Sequence, residues 1–261
     1  MYKHHEDSIR NVVDYFRTVP EVDAVILGGS VAHGFAGAGS DIDLMIMVSD
    51  REHEERLRDG RLQFFDNQLC TYDEGYVEGK YLGPGLLQRL VESGSEPARF
   101  AFLDSSILLS RIETLEETIR SITRYPVEGK AERMRRFYAQ FEAWNWYANE
   151  GLRLNDRYLL GVSIAKLALF GGRLILAHNE LLYPYHKWFL KMLERAPEKP
   201  ADLLDCIGNL CSHPSADTVR MFYETVGNSR AWEVPDVGWP NQFILDSELG
   251  WLKGATAVED L

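Results

Sequence analysis

Ala24-Val25-Ile26-Leu27-Gly28-Gly29-Ser30, ten further residues, and then Asp41-Ile42-Asp43-Leu44-Met45-Ile46-Met47-Val48 form the stretch that decides the fold of this chain. Two short apolar runs, rich in β-branched residues and bounded by glycine and polar residues, have the length and make-up of buried strands. The first is expected over about 22–28 and the second over 42–48. Residues two apart on a strand project to the same face, so Asp41 and Asp43 point together while Ile42 turns into the core. Two adjacent carboxylates repel unless a cation sits between them, and hard oxygen donors suit a divalent cation. Gly28 and Gly29 permit a positive φ and the close approach of an anion to the backbone. Ser30 can add a hydroxyl at the start of a short helix. An anion site and a divalent-cation site this close together point to metal–nucleotide chemistry.

The string Gly-Gly-Ser, a short spacer and Asp-x-Asp at the mouth of an apolar strand resembles the signature of the polymerase-β-like nucleotidyltransferases. Within that superfamily the layout is similar to the antibiotic nucleotidyltransferases that act on aminoglycosides and lincosamides. The detailed resemblance covers about residues 20–82, and the rest resembles the family only in layout. Two other nucleotide-binding loops are poor competitors. No Gly-x-Gly-x-x-Gly opens a helix after the first strand, and no Gly-Lys-Ser or Gly-Lys-Thr occurs anywhere.

The resemblance implies an α+β fold: a small mixed sheet followed by a helical bundle. The domain boundary is expected at Pro126–Gly129, giving a nucleotidyltransferase domain over 1–126 and a helical substrate-binding domain over 127–261. Strand signals occur before this joint, at 62–65, 69–72, 76–82 and 106–109, and vanish after it. Helical periodicity marks 5–17, 51–57, 86–92 and 113–123 in the first half. In the second half it marks 130–153, 157–178, 186–195, 201–211, 216–227 and 243–252.

The 261 residues carry a formal charge of −12 and are 45% hydrophobic. A chain that mainly grips nucleic acid is usually basic, so no nucleic-acid partner is expected. The dense basic run Arg133-Met134-Arg135-Arg136 reads as a solvated helix face. Cys70, Cys206 and Cys211 form no metal or redox motif, which suits reduced thiols and a cytoplasmic setting. No run approaches the roughly 20 apolar residues of a membrane span, so no membrane is expected. Oligomeric state is not legible.

Two-metal phosphoryl chemistry calls for a third carboxylate, which in the family lies on a later strand beside the Asp pair. Glu78, in the strand-like Tyr76-Val77-Glu78-Gly79-Lys80-Tyr81, is the first choice, with Asp66 and Asp73 open as alternatives. The family more often has Asp at this place. The resemblance implies Asp41, Asp43 and Glu78 as catalytic ligands of two Mg²⁺ ions. It also implies Gly28, Gly29 and Ser30 at the triphosphate of an NTP, with ATP the expected donor. His33 beside the turn and Lys166 within an apolar helix are further nucleotide candidates. His186 and Lys187, in the polar-aromatic cluster Pro184-Tyr185-His186-Lys187-Trp188, are candidates for an acceptor cleft expected between the two domains. The expected reaction moves a nucleoside monophosphate onto the hydroxyl of a small molecule, an aminoglycoside-type antibiotic being one acceptor class, with release of pyrophosphate. The rival expectation is an antitoxin-like or regulatory nucleotide-binding protein that acts through a protein partner.

Overall fold

The computed structural model describes residues 1–254, and these fall into two compact units, Met1–Arg124 and a second that begins at Tyr125. Residues 255–261 of the expected helical domain lie outside the described residues. The first unit runs α1 (Lys3–Arg17), β1 (Val22–Leu27), α2 (Gly29–Ala32), β2 (Ile42–Val48), α3 (Asp50–Arg58), β3 (Gln63–Asp66) and β4 (Val77–Leu82). It continues with α4 (Pro84–Ser93), α5 (Glu96–Phe100), β5 (Ser106–Ser110) and α6 (Leu115–Thr123). The second unit is helical: α7 (Lys130–Leu154), α8 (Arg157–His178), α9 (Phe189–Arg195), α10 (Leu203–Ser212), α11 (Ala216–Gly227) and α12 (Trp239–Asp246), then a 3₁₀ turn at Gly250–Lys253. The fold is therefore α+β, with a mixed sheet in the N-terminal region and helices after it.

Among the described residues, five strands lie in the order β3-β4-β2-β1-β5. Only β2 and β4 pair in parallel, and the chain makes the required crossover through α3 and β3. Both faces of the central strands are covered. Ile42, Leu44, Ile46 and Val48 pack with Val12 and Phe16 of α1 on one face. Met45 and Met47 pack with Leu87 of α4 and with Leu115 and Ile122 of α6 on the other. This explains why β2 reads as a continuous apolar run rather than an alternating one. Asp43 belongs to the α4/α6 face but sits at the strand start, ahead of where the core begins.

The buried Arg99 ties that face together. Its guanidinium donates to the carbonyls of Val91 and Gly94 (3.0 and 2.8 Å), which end α4, and to Ile122 of α6 (3.1 Å). A buried guanidinium needs such acceptors, since leaving it unmatched would cost several kcal/mol.

Two expected elements are corrected. Residues 69–72 form no strand; the segment is a turn, because Tyr72 sends its hydroxyl to the Ser40 carbonyl (2.6 Å) rather than alternating along a sheet. The expected helix over 243–252 starts earlier, at Trp239 with Pro240 in its first turn, and stops at Asp246. Proline suits that first turn because its missing N–H would have no partner there.

In the helical unit, α7 and α8 form a hairpin. Asn155 takes a left-handed conformation, and the Asp156 carboxylate caps α8 by accepting from Tyr158 and Leu159 N–H (2.9 and 3.0 Å). The two helices approach closely at Gly151, where a Cβ would lie 2.9 Å from the Leu160 backbone. By length and composition α8 could cross a membrane, contrary to the expectation of no such run. Half of its most apolar window is buried inside the protein, against α7, α9, α10 and α11, as in a core helix.

Candidate active site

The β1–α2–β2 segment brings the Gly-Gly-Ser turn against the Asp pair. The Gly28 N–H donates to the Asp43 carbonyl (2.9 Å), extending the β1–β2 ladder by one step. Gly29 then adopts φ +61°, and a Cβ at that residue would lie 1.7 Å from Asp43 Oδ2. The Asp43 carboxylate thus occupies the volume that any other residue at position 29 would fill. The one-turn helix that follows leaves the N–H groups of Gly29, Ser30 and Val31 without intrahelical acceptors. Ser30 is 4% exposed, and its hydroxyl oxygen is buried without a hydrogen-bond partner. An orphaned hydroxyl among first-turn amides suits an incoming phosphate oxygen.

Asp43 lies opposite Glu78 in the parallel β2–β4 register. Asp41, Asp43 and Glu78 each offer a carboxylate oxygen within 4.8 Å of the others. Oxygens on opposite sides of an octahedral Mg²⁺ lie about 4.2 Å apart, twice the Mg–O distance, so the cluster fits divalent cations with little movement. The donor set, all carboxylate, also suits this ion rather than a thiophilic one. Asp66 does not join the cluster; its Oδ1 accepts from Gln68 and Leu69 N–H (2.7 and 3.0 Å) in a local turn. Asp73 is exposed in the following turn and also lies outside it.

Sequence reading missed Tyr76. It sits two residues before Glu78, as Asp41 sits two before Asp43, so the same register continues and Ile42 N–H donates to the Tyr76 carbonyl (3.1 Å). The Tyr76 hydroxyl donates to the Asp41 carboxylate, whose negative charge pushes the phenol pKa up and keeps it a donor at neutral pH. The i−2 spacing was the available signal.

The approach to Asp41 is held from α1. Nε2–H of His4 donates to the Ala38 carbonyl (2.8 Å), and Nε2–H of His5 joins the Tyr72 hydroxyl on Ser40 O (3.1 and 2.6 Å). These bonds fix the histidine tautomers. His5 is fully buried, its Nδ1 has no partner, and its pKa is lowered by burial and then by His4. A depressed histidine pKa means the unfolded chain binds the proton more tightly than the folded one. The stability His5 contributes is therefore complete above its ordinary 6.5 and is lost as pH falls through the folded pKa. Thermal melts from about pH 8 to about pH 5 should show wild type losing Tm below 6.5. His5→Gln should melt lower at neutral pH with a flatter acid limb; an equally steep limb in the variant would remove His5 from this role.

The other candidates have these surroundings. His33 is 5% exposed, with its ring 4.5 Å from that of Phe100 and Nδ1 3.7 Å from Asp104 Oδ2, so protein rather than solvent surrounds it. Lys166, on α8, holds its ammonium 5.9 Å from the Trp144 ring centroid. His186 Nδ1 lies 3.3 Å from the Tyr183 hydroxyl, and the Lys187 ammonium lies 5.0 Å from the Trp188 ring centroid.

Residues 9–96 match the family model described as "Nucleotidyltransferase domain", a span that includes the turn and all three carboxylates. The solved structure of a nucleotidyltransferase-like protein from Exiguobacterium sibiricum 255-15 is similar over 98% of this chain and 83% of that one, with 9% identity and a TM-score of 0.48. No curated protein matches in sequence. The match over residues 9–96 supports a nucleotidyltransferase domain in this part of the chain, and with it a transferase.

Proposed function

We propose that this protein transfers a nucleoside monophosphate from a magnesium-bound NTP, ATP being the expected donor, to a hydroxyl of a small molecule, and releases pyrophosphate. The observation that carries the reading is the carboxylate cluster, with its Asp43 member lodged against the Cα of Gly29. Asp41, Asp43 and Glu78 would hold two Mg²⁺ ions, which when bound neutralise phosphate charge and acidify the acceptor hydroxyl. First-turn amides and the Ser30 hydroxyl would bind phosphate oxygens, and His33, at the C-terminal end of that one-turn helix, is our further candidate for the nucleotide. The acceptor oxygen bonds to the α-phosphorus, the bond from that phosphorus to the bridging oxygen breaks, and pyrophosphate leaves. The hydroxyl proton passes to a Glu78 carboxylate oxygen. Tyr76 holds Asp41 in place by its hydrogen bond, so that the carboxylate is oriented before substrate arrives. From the helical unit, Lys166 is our candidate for the triphosphate, and His186 and Lys187 are our candidates for the acceptor. An aminoglycoside-type antibiotic is one acceptor to screen, and three free thiols suit a cytoplasmic setting.

Calorimetric titration of ATP, GTP, CTP and UTP with Mg²⁺ tests the reading. Wild type should bind at least one nucleotide in a magnesium-dependent way, and Asp41→Ala/Asp43→Ala should not. Binding of none of the four by wild type would sink it.

A further inference from the structure

Asp41 and Tyr76 stand one residue ahead of β2 and β4, and these strands run in parallel, so the two carboxylate-bearing strands enter the sheet side by side. Each entrance is tied to the first turns of α1. Ahead of β2, His4 and His5 reach the Ala38 and Ser40 carbonyls. Ahead of β4, Thr71 N–H donates to Ser8 Oγ (3.0 Å), and the Thr71 hydroxyl donates to the His4 carbonyl (3.1 Å). Tyr72 joins the two sides. Its hydroxyl donates to Ser40 O, and its ring centroid lies 4.5 Å from that of His4 and 5.3 Å from that of His5. Gly75, next to Tyr76, packs on the Tyr72 ring, where a Cβ would come within 2.6 Å.

Packing does little to hold the loop before Asp41. Residues 37–39 are exposed, and nothing lies within 4 Å of an added Cβ at Gly37 or Gly39. A local turn ties Gly37 to Ser40 within the loop, with Gly37 N–H on Ser40 Oγ (3.0 Å) and Ser40 N–H on Gly37 O (3.2 Å). That turn does not fix the loop against the sheet. The side chains of α1 and Tyr72 do so, at the carbonyl of the residue that precedes Asp41.

We infer that His4, His5 and Tyr72 are positioning residues of the metal site: they form a latch that orders Asp41 before a divalent cation arrives, and so set the magnesium concentration at which the site fills. This rests on the metal-dependent transfer reading and adds a control element to it. A site ordered in advance loses less conformational freedom when its ligand binds. Such coupling is reciprocal, so the bound ion must also tighten the latch.

The melting temperature of the nucleotide-free protein is followed as Mg²⁺ is raised, for wild type, His5→Leu, His5→Gln, Tyr72→Phe and Ile122→Ala. Gln can place an amide N–H where Nε2–H of His5 stood, and Phe keeps the Tyr72 ring while losing its hydroxyl. Ile122→Ala opens a cavity on the other face of the sheet and so controls for lost stability. The Mg²⁺ midpoint should rise about tenfold in His5→Leu and about threefold in Tyr72→Phe, and stay at the wild-type value in His5→Gln and Ile122→Ala. If His5→Leu does not fold, Tyr72→Phe decides. A second readout needs no variant: Mg²⁺ should slow hydrogen exchange at the Thr71 N–H of wild type. Wild-type midpoints in His5→Leu and Tyr72→Phe, a midpoint in His5→Gln as high as in His5→Leu, an equal rise in Ile122→Ala, or Thr71 exchange indifferent to Mg²⁺ would each overturn the latch alone. A wild type whose melting temperature Mg²⁺ leaves unchanged also overturns it; if that protein binds none of the four Mg·NTPs, the transfer reading falls with it.

Discussion

Asp43→Asn is expected to lower nucleotidyl transfer by about a thousandfold or more while leaving the fold intact. The amide keeps the size of the carboxylate but loses the charge that a divalent cation requires. Asp43 is the member of the cluster that lies opposite Glu78 and also against Gly29, so no neighbouring group can replace it. The variant also removes one of three carboxylates that approach within 4.8 Å. Like charges at that separation cost about 1 kcal/mol in water and more where solvent is partly excluded. The two effects separate in a melting experiment. Without a divalent cation the variant should melt at or slightly above wild type. With millimolar Mg²⁺ wild type should gain Tm and the variant should not. A variant that is inactive and also much less stable without magnesium would point to misfolding rather than to loss of a ligand.

Gly29→Ala is the second large effect. An L-residue at φ +61° costs about 1–2 kcal/mol from the backbone alone. The new Cβ would also lie 1.7 Å from Asp43 Oδ2 and 2.3 Å from its Cγ. The carboxylate must swing away, and a displacement of about 1 Å at a reacting centre can cost a hundredfold in rate. Gly34→Ala is the control. Gly34 also has a positive φ, +73°, but nothing lies within 4 Å of its added Cβ. Both variants should lose similar backbone stability, and only Gly29→Ala should lose turnover and magnesium affinity. Equal losses of activity would assign the effect to loop conformation and not to the collision.

What the sequence disclosed follows from how local each signal is. Gly28–Ser30, Asp41 and Asp43 lie within one strand–turn–strand unit, so periodicity and turn chemistry locate them together. Glu78 was distinguishable from Asp66 and Asp73 only by its strand-like surroundings. The deciding fact, the register of β4 on β2, joins distant segments and is not written in either one. Tyr76, His4 and His5 escaped notice for the same reason. Their partners are a carboxylate and two backbone carbonyls about 35 residues away in the chain. Residues 69–72 have the composition of a strand, yet the bond from Tyr72 to Ser40 outweighs that propensity. The long helices α7 and α8 were the easiest elements to find, because periodicity sustained over many turns leaves little ambiguity.

The parallel pairing of β2 and β4 has a consequence for how the protein forms. Asp43 and Glu78 meet only after the chain has passed through α3 and β3 and inserted β4 between β3 and β2. Closing that crossover costs loop entropy before any contact repays it, and here the closing step also presses like charges together. A divalent cation held as proposed above would bind the finished arrangement and not the open chain, and would draw the folding equilibrium toward the native state. At a hundred times its dissociation constant it adds about 2.7 kcal/mol, a sizeable part of a typical domain's stability. On the proposed reading, the ions that serve turnover would thus also set how much of the protein is folded, and magnesium starvation would deplete the folded protein as well as its activity.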